Sequence, residues 1–189
     1  MEIRLAEPSE AGAAVAILNA CGVEMRDRHG VPDWLLPSIP GTIAADVTAA
    51  RLFVVTERGE IIGTFSLCDI PDDYYAPIQW EEPSGSAVYL HRFAISKRLQ
   101  SKGIGAWCLT QMEELVRRRG RRWIRLDATL VDPKVRVFHE RAGFQARGVT
   151  HIPVPLPDHP PVAVMCYEKR LDRLPGEIAS SSFWPSSRA

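Results

Sequence analysis

Gln100-Ser101-Lys102-Gly103-Ile104-Gly105 joins an apolar segment, Val88 to Ile95, to an amphipathic one, Ile104 to Val116. The first reads as a strand. The second places Ile104, Trp107, Cys108, Met112, Leu115 and Val116 on one stripe of a helical repeat. Arg117 to Arg119 suit the negative end of that helix, and Gly120 supplies a left-handed stop. Neither Ser101 nor Lys102 builds a capping box at its start. A glycine-containing turn that feeds an uncapped helix aims several main-chain N–H groups outward, at the positive end of the helix dipole. Phosphate is the usual occupant of such a site. The spacing fits neither the Walker loop nor the Gly-x-Gly-x-x-Gly dinucleotide turn.

The flanking chain supplies the rest of an α/β domain. Ile3 to Ala6 reads as a strand, and Pro8-Ser9 opens a helix with Val15, Ile17, Leu18 and Cys21 on its apolar face. Gly22 to Pro40 reads as an irregular loop in which Trp34, Leu35 and Leu36 pack inward. Thr42 is the expected N-cap of a short helix ending near Ala50. Arg51 to Glu57 and Glu60 to Cys68 form a hairpin about Arg58-Gly59. Trp123 to Leu130 is strand-like, and Asp132-Pro133 opens a helix closed by Gly143-Phe144. Phe144 to Ile152 and Val162 to Lys169 are strands separated by a proline-rich link. The order predicts a mixed, mostly antiparallel central sheet of about seven strands with about four helices on both faces. Residues 1–171 read as one domain, and 172–189, rich in Ser and Pro, as a tail.

Composition narrows the function. The 189 residues are 46% apolar and 24% charged, with zero formal net charge. No overall field draws such a chain to nucleic acid or to a membrane. The polar N-terminus argues against a signal peptide, and no apolar run has membrane-spanning length. The four cysteines are far apart, which suits reduced core thiols of a cytoplasmic protein and disfavours a metal site.

Gln-x-x-Gly-x-Gly after Phe93-Ala94-Ile95 resembles the acetyl-CoA loop of the GNAT superfamily of N-acetyltransferases. Asp132…Val135…Phe138-His139-Glu140-Arg141-Ala142-Gly143-Phe144 resembles a second motif of that family, Asn…Ala…Phe-Tyr-Glu-Lys-x-Gly-Phe. The resemblance covers roughly Ile3 to Leu171, element by element. It implies transfer of an acetyl group from acetyl-CoA to a primary amine, by direct attack in a ternary complex. A CoA-binding module without turnover is the alternative, because a fold does not guarantee an activity.

The resemblance also implies roles. Gln100, Ser101, Lys102, Gly103, Ile104, Gly105 and Ala106 would cradle the CoA pyrophosphate, the glycines keeping side chains away from it. Phe93 and Ile95 would offer backbone groups to the pantetheine arm, with the Ile95 N–H as oxyanion donor. His139 stands where the family has Tyr. As an imidazolium near its ordinary pKa of ~6.5 it would protonate a thiolate of pKa ~8.5; the alternative is a surface helix histidine. His91 and Tyr89 share a strand face, and alternation puts Phe93 there too. His91 is then either the base that deprotonates the amine or a buried histidine satisfied by backbone. Glu81 and Glu82 are weaker candidates for that base. Asp132 either contacts the cofactor arm or caps a helix.

Asp69 to Glu82 carries five carboxylates with Tyr74, Tyr75 and Trp80 and no Lys or Arg. It reads either as a solvated loop or as the acceptor end of the site, where it would favour a cationic amine, small-molecule or protein-borne. The six arginines between Arg117 and Arg125 lack interleaved aromatics apart from Trp123, which argues against a nucleic-acid partner. The tail and the loop at Trp34 offer surfaces for a homodimer.

Overall fold

The computed structural model describes residues 1–30, 40–82, 85–153 and 160–172. The expected packing of Trp34, Leu35 and Leu36, most of the proline-rich link and nearly all of the tail lie outside them. Seven strands form one sheet: β1 (Glu2–Leu5), β2 (Leu52–Glu57), β3 (Glu60–Cys68), β4 (Ala87–Ile95), β5 (Trp123–Thr129), β6 (Gln145–Ile152) and β7 (Val162–Arg170). Their spatial order is β1-β2-β3-β4-β5-β7-β6. Every neighbouring pair is antiparallel except β4 and β5. Four helices cover the sheet: α1 (Ala11–His29), α2 (Pro40–Thr48), α3 (Ile104–Arg118) and α4 (Pro133–Arg141). None of the described helices is long and apolar enough to cross a membrane.

Two faces follow from strand alternation. Ala14, Leu18 and Cys21 of α1 and Ile43 of α2 pack on Leu52 and Ala94. Ile104, Cys108, Leu109, Met112 and Val116 of α3 pack on the opposite face, against Val88, Leu90, Ile124 and Leu126, with Phe138 of α4 beside them. The stripe expected for α3 is thus its buried face. Arg58 and Gly59 both adopt positive φ, 51° and 81°, as a two-residue hairpin turn of matching twist requires.

Two helix boundaries differ from expectation. Gly22 to His29 is helical rather than irregular. Gly22 is buried, and Glu24 and Arg28 form an i,i+4 ion pair at 2.6 Å. Gly30, at φ 64°, ends the helix by donating to the Arg26 carbonyl. Helix α2 begins at Pro40, whose fixed φ suits a first turn, so Thr42 lies inside the helix and not at its cap.

Gly63 of β3 faces Ile95 of β4. A Cβ there would lie 2.6 Å from Ile95 Cδ1 and 3.0 Å from the Ala94 carbonyl oxygen. Gly63→Ala is therefore expected to destabilise the fold by about 1–3 kcal/mol, read as a lowered urea midpoint; an unchanged midpoint would contradict this packing.

Candidate active site

Strands β4 and β5 pair at Ala87↔Trp123, Val88↔Ile124 and Tyr89↔Arg125, and then part. From Leu90 onward β4 has no partner on that side among the described residues. The ladder fixes which groups face the gap. Ser96 N–H donates to the Ile62 carbonyl at 2.8 Å. Backbone groups alternate sides along a strand, so the N–H and C=O of Ile95 point into the gap. Its carbonyl is occupied by Gln100 Nε2 at 2.9 Å and by the Cys21 thiol at 3.6 Å. Among the described residues, the Ile95 N–H has no loop or side-chain acceptor. Gln100 thus binds the loop back to β4 through its side chain, leaving the cradle to the residues after it.

The cradle itself is bare. Ser101 and Gly103 adopt left-handed φ values of 61° and 81°. Gly103 caps α3 without any side-chain hydrogen bond, and the first N–H of this turn to find a backbone acceptor is Trp107, bonded to the Gly103 carbonyl at 3.0 Å. The amides from Ser101 to Ala106 have no acceptor among the described residues. The two glycines serve different ends. Gly103 supplies the left-handed conformation. A Cβ on Gly105 would lie 3.2 Å from the Phe138 ring, so Gly105 lets α4 approach α3. Beyond Ala106 a cavity of about 510 Å³ runs between those helices, lined by Pro133, Lys134, Val137, Phe138 and Arg141. Lys134 and Arg141 have no ion pair among the described residues.

The bulge in β4 decides what faces what. Thr64↔Ala94 and Ser66↔His91 leave Arg92 and Phe93 together opposite Phe65. Arg92 takes φ 53°, unusual for a residue with a side chain. The alternation slips there by one residue. Phe93 therefore packs toward α3 and α4, its ring 6.4 Å from those of Phe65 and Phe138. Tyr89 and His91 stay on the opposite face, with Tyr75 5.2 and 6.2 Å away. The expectation that His91 and Phe93 share a face is corrected. Asp46 of α2, almost wholly buried, fastens the bulge: it takes Arg92, Ser66 Oγ at 3.0 Å and Arg51 at 2.9 Å.

On the α1/α2 side, His91 is shielded from water, and burial lowers its pKa against the opposing pull of Asp127 and Asp72. The imidazole is thus neutral near pH 7 and able to accept a proton. Asp72 Oδ2 lies 3.8 Å from His91 Nδ1, too far for a hydrogen bond. Across the gap, Asp127 of β5 accepts the hydroxyls of Tyr74, at 3.1 Å, and Tyr75 on one oxygen. Burial and the Asp127 charge push both phenols up, so they remain donors. Tyr89 is committed to the Arg125 guanidinium at 3.1 Å. Glu81 and Glu82 turn away, to Arg147 and to Trp123 Nε1. Asp132 caps α4 by accepting Lys134 N–H at 2.8 Å, with His29 Nε2 3.6 Å away.

His139 contradicts the expected acid. Its side chain lies in the core, 5.7 Å from the Phe144 ring and 6.1 Å from Tyr167, and its Nδ1 has no partner among the described residues. Burial lowers its pKa to about 4. No imidazolium is available there near neutral pH. Of the six arginines between 117 and 125, Arg117, Arg118, Arg121 and Arg125 pair with carboxylates of this chain. Asp127, Asp46 and Arg92 were missed from sequence. An aspartate inside the strand-like segment Trp123 to Thr129 was the available signal for the first, because strands seldom carry one.

The acetyltransferase (GNAT) family model matches residues 16–144. The chain belongs to this family. "Uncharacterized N-acetyltransferase YesJ" of Bacillus subtilis is 24% identical over 106 residues, a match spanning 56% of this chain and 59% of that protein. A GNAT-family acetyltransferase from Streptococcus agalactiae superposes with TM-score 0.73 at 20% identity, covering 91% of this chain and 96% of that one. YncA of Salmonella typhimurium, solved with its cofactor acetyl-CoA, superposes at 0.63 and 18% identity, covering 95% and 99%. At these identities the structural likeness is one of fold. The mixed seven-stranded sheet with helices on both faces agrees with the family expected from the two motifs.

The buried imidazole has a consequence for stability. An unfolded histidine binds a proton below pH ~6.5, whereas folded His139 does so only near 4, so acidification through this window favours the unfolded chain. The full effect is about 3 kcal/mol. His139→Phe should flatten the pH dependence of the unfolding free energy between those limits; an unchanged slope would show that the imidazole is not buried neutral.

Proposed function

We propose that this chain moves an acetyl group from acetyl-CoA to a primary amine, by direct attack in a ternary complex. The observation that carries the reading is the opening of the sheet after Tyr89↔Arg125, with the uncapped amides before α3 on one face and a neutral imidazole on the other. The cofactor bound by YncA fits the residues present here. Bare amides of Ser101 to Ala106 would receive its pyrophosphate, and Lys134 and Arg141 would flank its nucleotide end. When bound, acetyl-CoA supplies an acetyl group activated as a thioester.

The residues then divide the work. The Ile95 N–H donates to the thioester carbonyl oxygen as negative charge grows there. His91 takes the proton that the amine loses as its nitrogen bonds to the carbonyl carbon and the carbon–sulfur bond breaks. Asp127, held by two tyrosine hydroxyls, places a carboxylate where the amine becomes cationic. His91 returns its proton to solvent, and the departing thiolate, the anion of an acid of pKa ~8.5, is protonated from the same solvent pool near pH ~7. The neutral His139 favours one other reading, CoA binding without turnover, which thiol release distinguishes.

CoA should bind in isothermal titration, and Gly103→Val should weaken it about tenfold or more, because a β-branched residue resists the left-handed turn. His91→Ala should leave CoA affinity in place and lower kcat by ~10²-fold or more. Since the base works when neutral, the acid limb of wild-type kcat should lie below ~6.5. Full activity of His91→Ala across that limb would remove His91 from the mechanism.

A further inference from the structure

The acceptor side of the opened sheet carries unmatched negative charge. The cations around it are already paired within the chain: Arg92 with Asp46, Arg125 with Glu168, Arg147 with Glu168 and Glu81, and Arg121 with Asp69. The carboxylates are not balanced in return. Asp72 has one titratable neighbour, the neutral His91 imidazole at 3.8 Å, and its side chain is 57% exposed. Asp73 forms no ion pair among the described residues. Asp127 receives two neutral hydroxyls on Oδ1 and no hydrogen bond on Oδ2 among the described residues. Against Asp72 and Asp73 lies a cavity of about 550 Å³, lined also by Tyr75, Ile78, Trp80 and Tyr89; Tyr75, whose hydroxyl donates to Asp127, stands between it and that carboxylate. Arg125 covers the Trp80 ring at 4.5 Å, but it is buried and committed to Glu168, so it offers no free charge to a ligand.

Resting on the acetyl-transfer reading, we propose that the acceptor is a flexible diamine or polyamine. One amino group lies between His91 and Asp127, facing the gap in the sheet. The chain between its nitrogens lies along Tyr75, Ile78 and Tyr89, where apolar methylene groups are covered. The second cation is held by Asp72 and Asp73 at the outer rim. In the transfer step the first nitrogen bonds to the acetyl carbon, the carbon–sulfur bond breaks, and the nitrogen's proton passes to His91. The second nitrogen stays protonated throughout. An acceptor bearing a carboxylate is rejected, because it would set another negative charge among three, and no cation is among the described residues that line the cavity.

Three acceptors of similar length separate these charges: diaminopentane, pentylamine and aminohexanoate. Thiol release from acetyl-CoA should give kcat/KM in that order, with diaminopentane at least about tenfold above aminohexanoate. The ratio of diaminopentane to pentylamine should shrink up to about fivefold in Asp73→Asn, the reach of an exposed charge pair, and should also shrink as ionic strength rises. Titration of diaminopentane into the protein–CoA complex reads the site apart from turnover, and saturable heat lost in the Asp72→Asn, Asp73→Asn double variant would support it. Binding without thiol release would overturn the transfer reading and uphold the charge selection. Thiol release with aminohexanoate at or above diaminopentane, or a ratio untouched in Asp73→Asn, would overturn the diamine proposal and leave the transfer reading standing. Neither heat nor thiol release would overturn both.

Discussion

The site depends on a failure of hydrogen bonding: β4 and β5 stop pairing after Tyr89 and Arg125. Unpaired main-chain groups inside a sheet are costly, so such a gap needs support from both sides and a ligand for its free donors. On the β4 side the support is Asp46, a buried carboxylate that holds the Arg92 side chain and hence the bulge. On the β5 side it is Glu168, fully buried, which binds Arg125 and Arg147 and accepts the Glu81 N–H at 2.8 Å. The Asp46 network ties α2 to β3 and β4, whereas Glu168 reinforces the β5-β7-β6 ladder and adds the backbone at Glu81. Breaking one partner of a buried pair costs several kcal/mol, ~3–5 in measured cases, so both halves of the gap are held stiffly.

The bulge gives that gap two chemically different sides. Were β4 regular through Arg92, Phe93 and Ile95 would continue the alternation of Tyr89 and His91. With it, aromatic packing and the cradle lie toward α3 and α4, while the imidazole and the acidic, tyrosine-rich loop lie opposite. In the proposed transfer, a ligand held by backbone amides on one side would meet an amine from the other. The same burial that keeps His91 neutral keeps His139 neutral, but the surroundings differ. His91 is at a polar opening beside Asp72 and Asp127, whereas His139 is enclosed by rings.

Much of this was legible in the chain. The α3 stripe, the uncapped turn at Gly103, the Arg58-Gly59 hairpin and the cap at Asp132 are local, and local propensity decided them. What the sequence concealed was set by tertiary contact. The left-handed Arg92 has no local signature, because its conformation is imposed by Asp46 of a distant helix, and so the face assigned to Phe93 came out reversed. Helix α1 runs past Gly22 because packing against the sheet outweighs the modest cost of a helical glycine. The role expected of His139 followed from its position in a motif, but a histidine ring is shorter than tyrosine and here ends inside the core. Asp127 was overlooked because its meaning lies in Tyr74 and Tyr75, far away along the chain.

Amide hydrogen exchange tests the open ladder most directly, since it reads each N–H by itself. In the free protein, Ile95 and the amides from Ser101 to Ala106 should exchange rapidly while Ala94 and Ser96, bonded to β3, stay protected. Addition of CoA should slow the Ser101 to Ala106 group, and addition of acetyl-CoA should slow Ile95 as well. Strong protection of Ile95 in the free protein, or no change at Ser101 to Ala106 with saturating CoA, would contradict a sheet opened to receive a thioester.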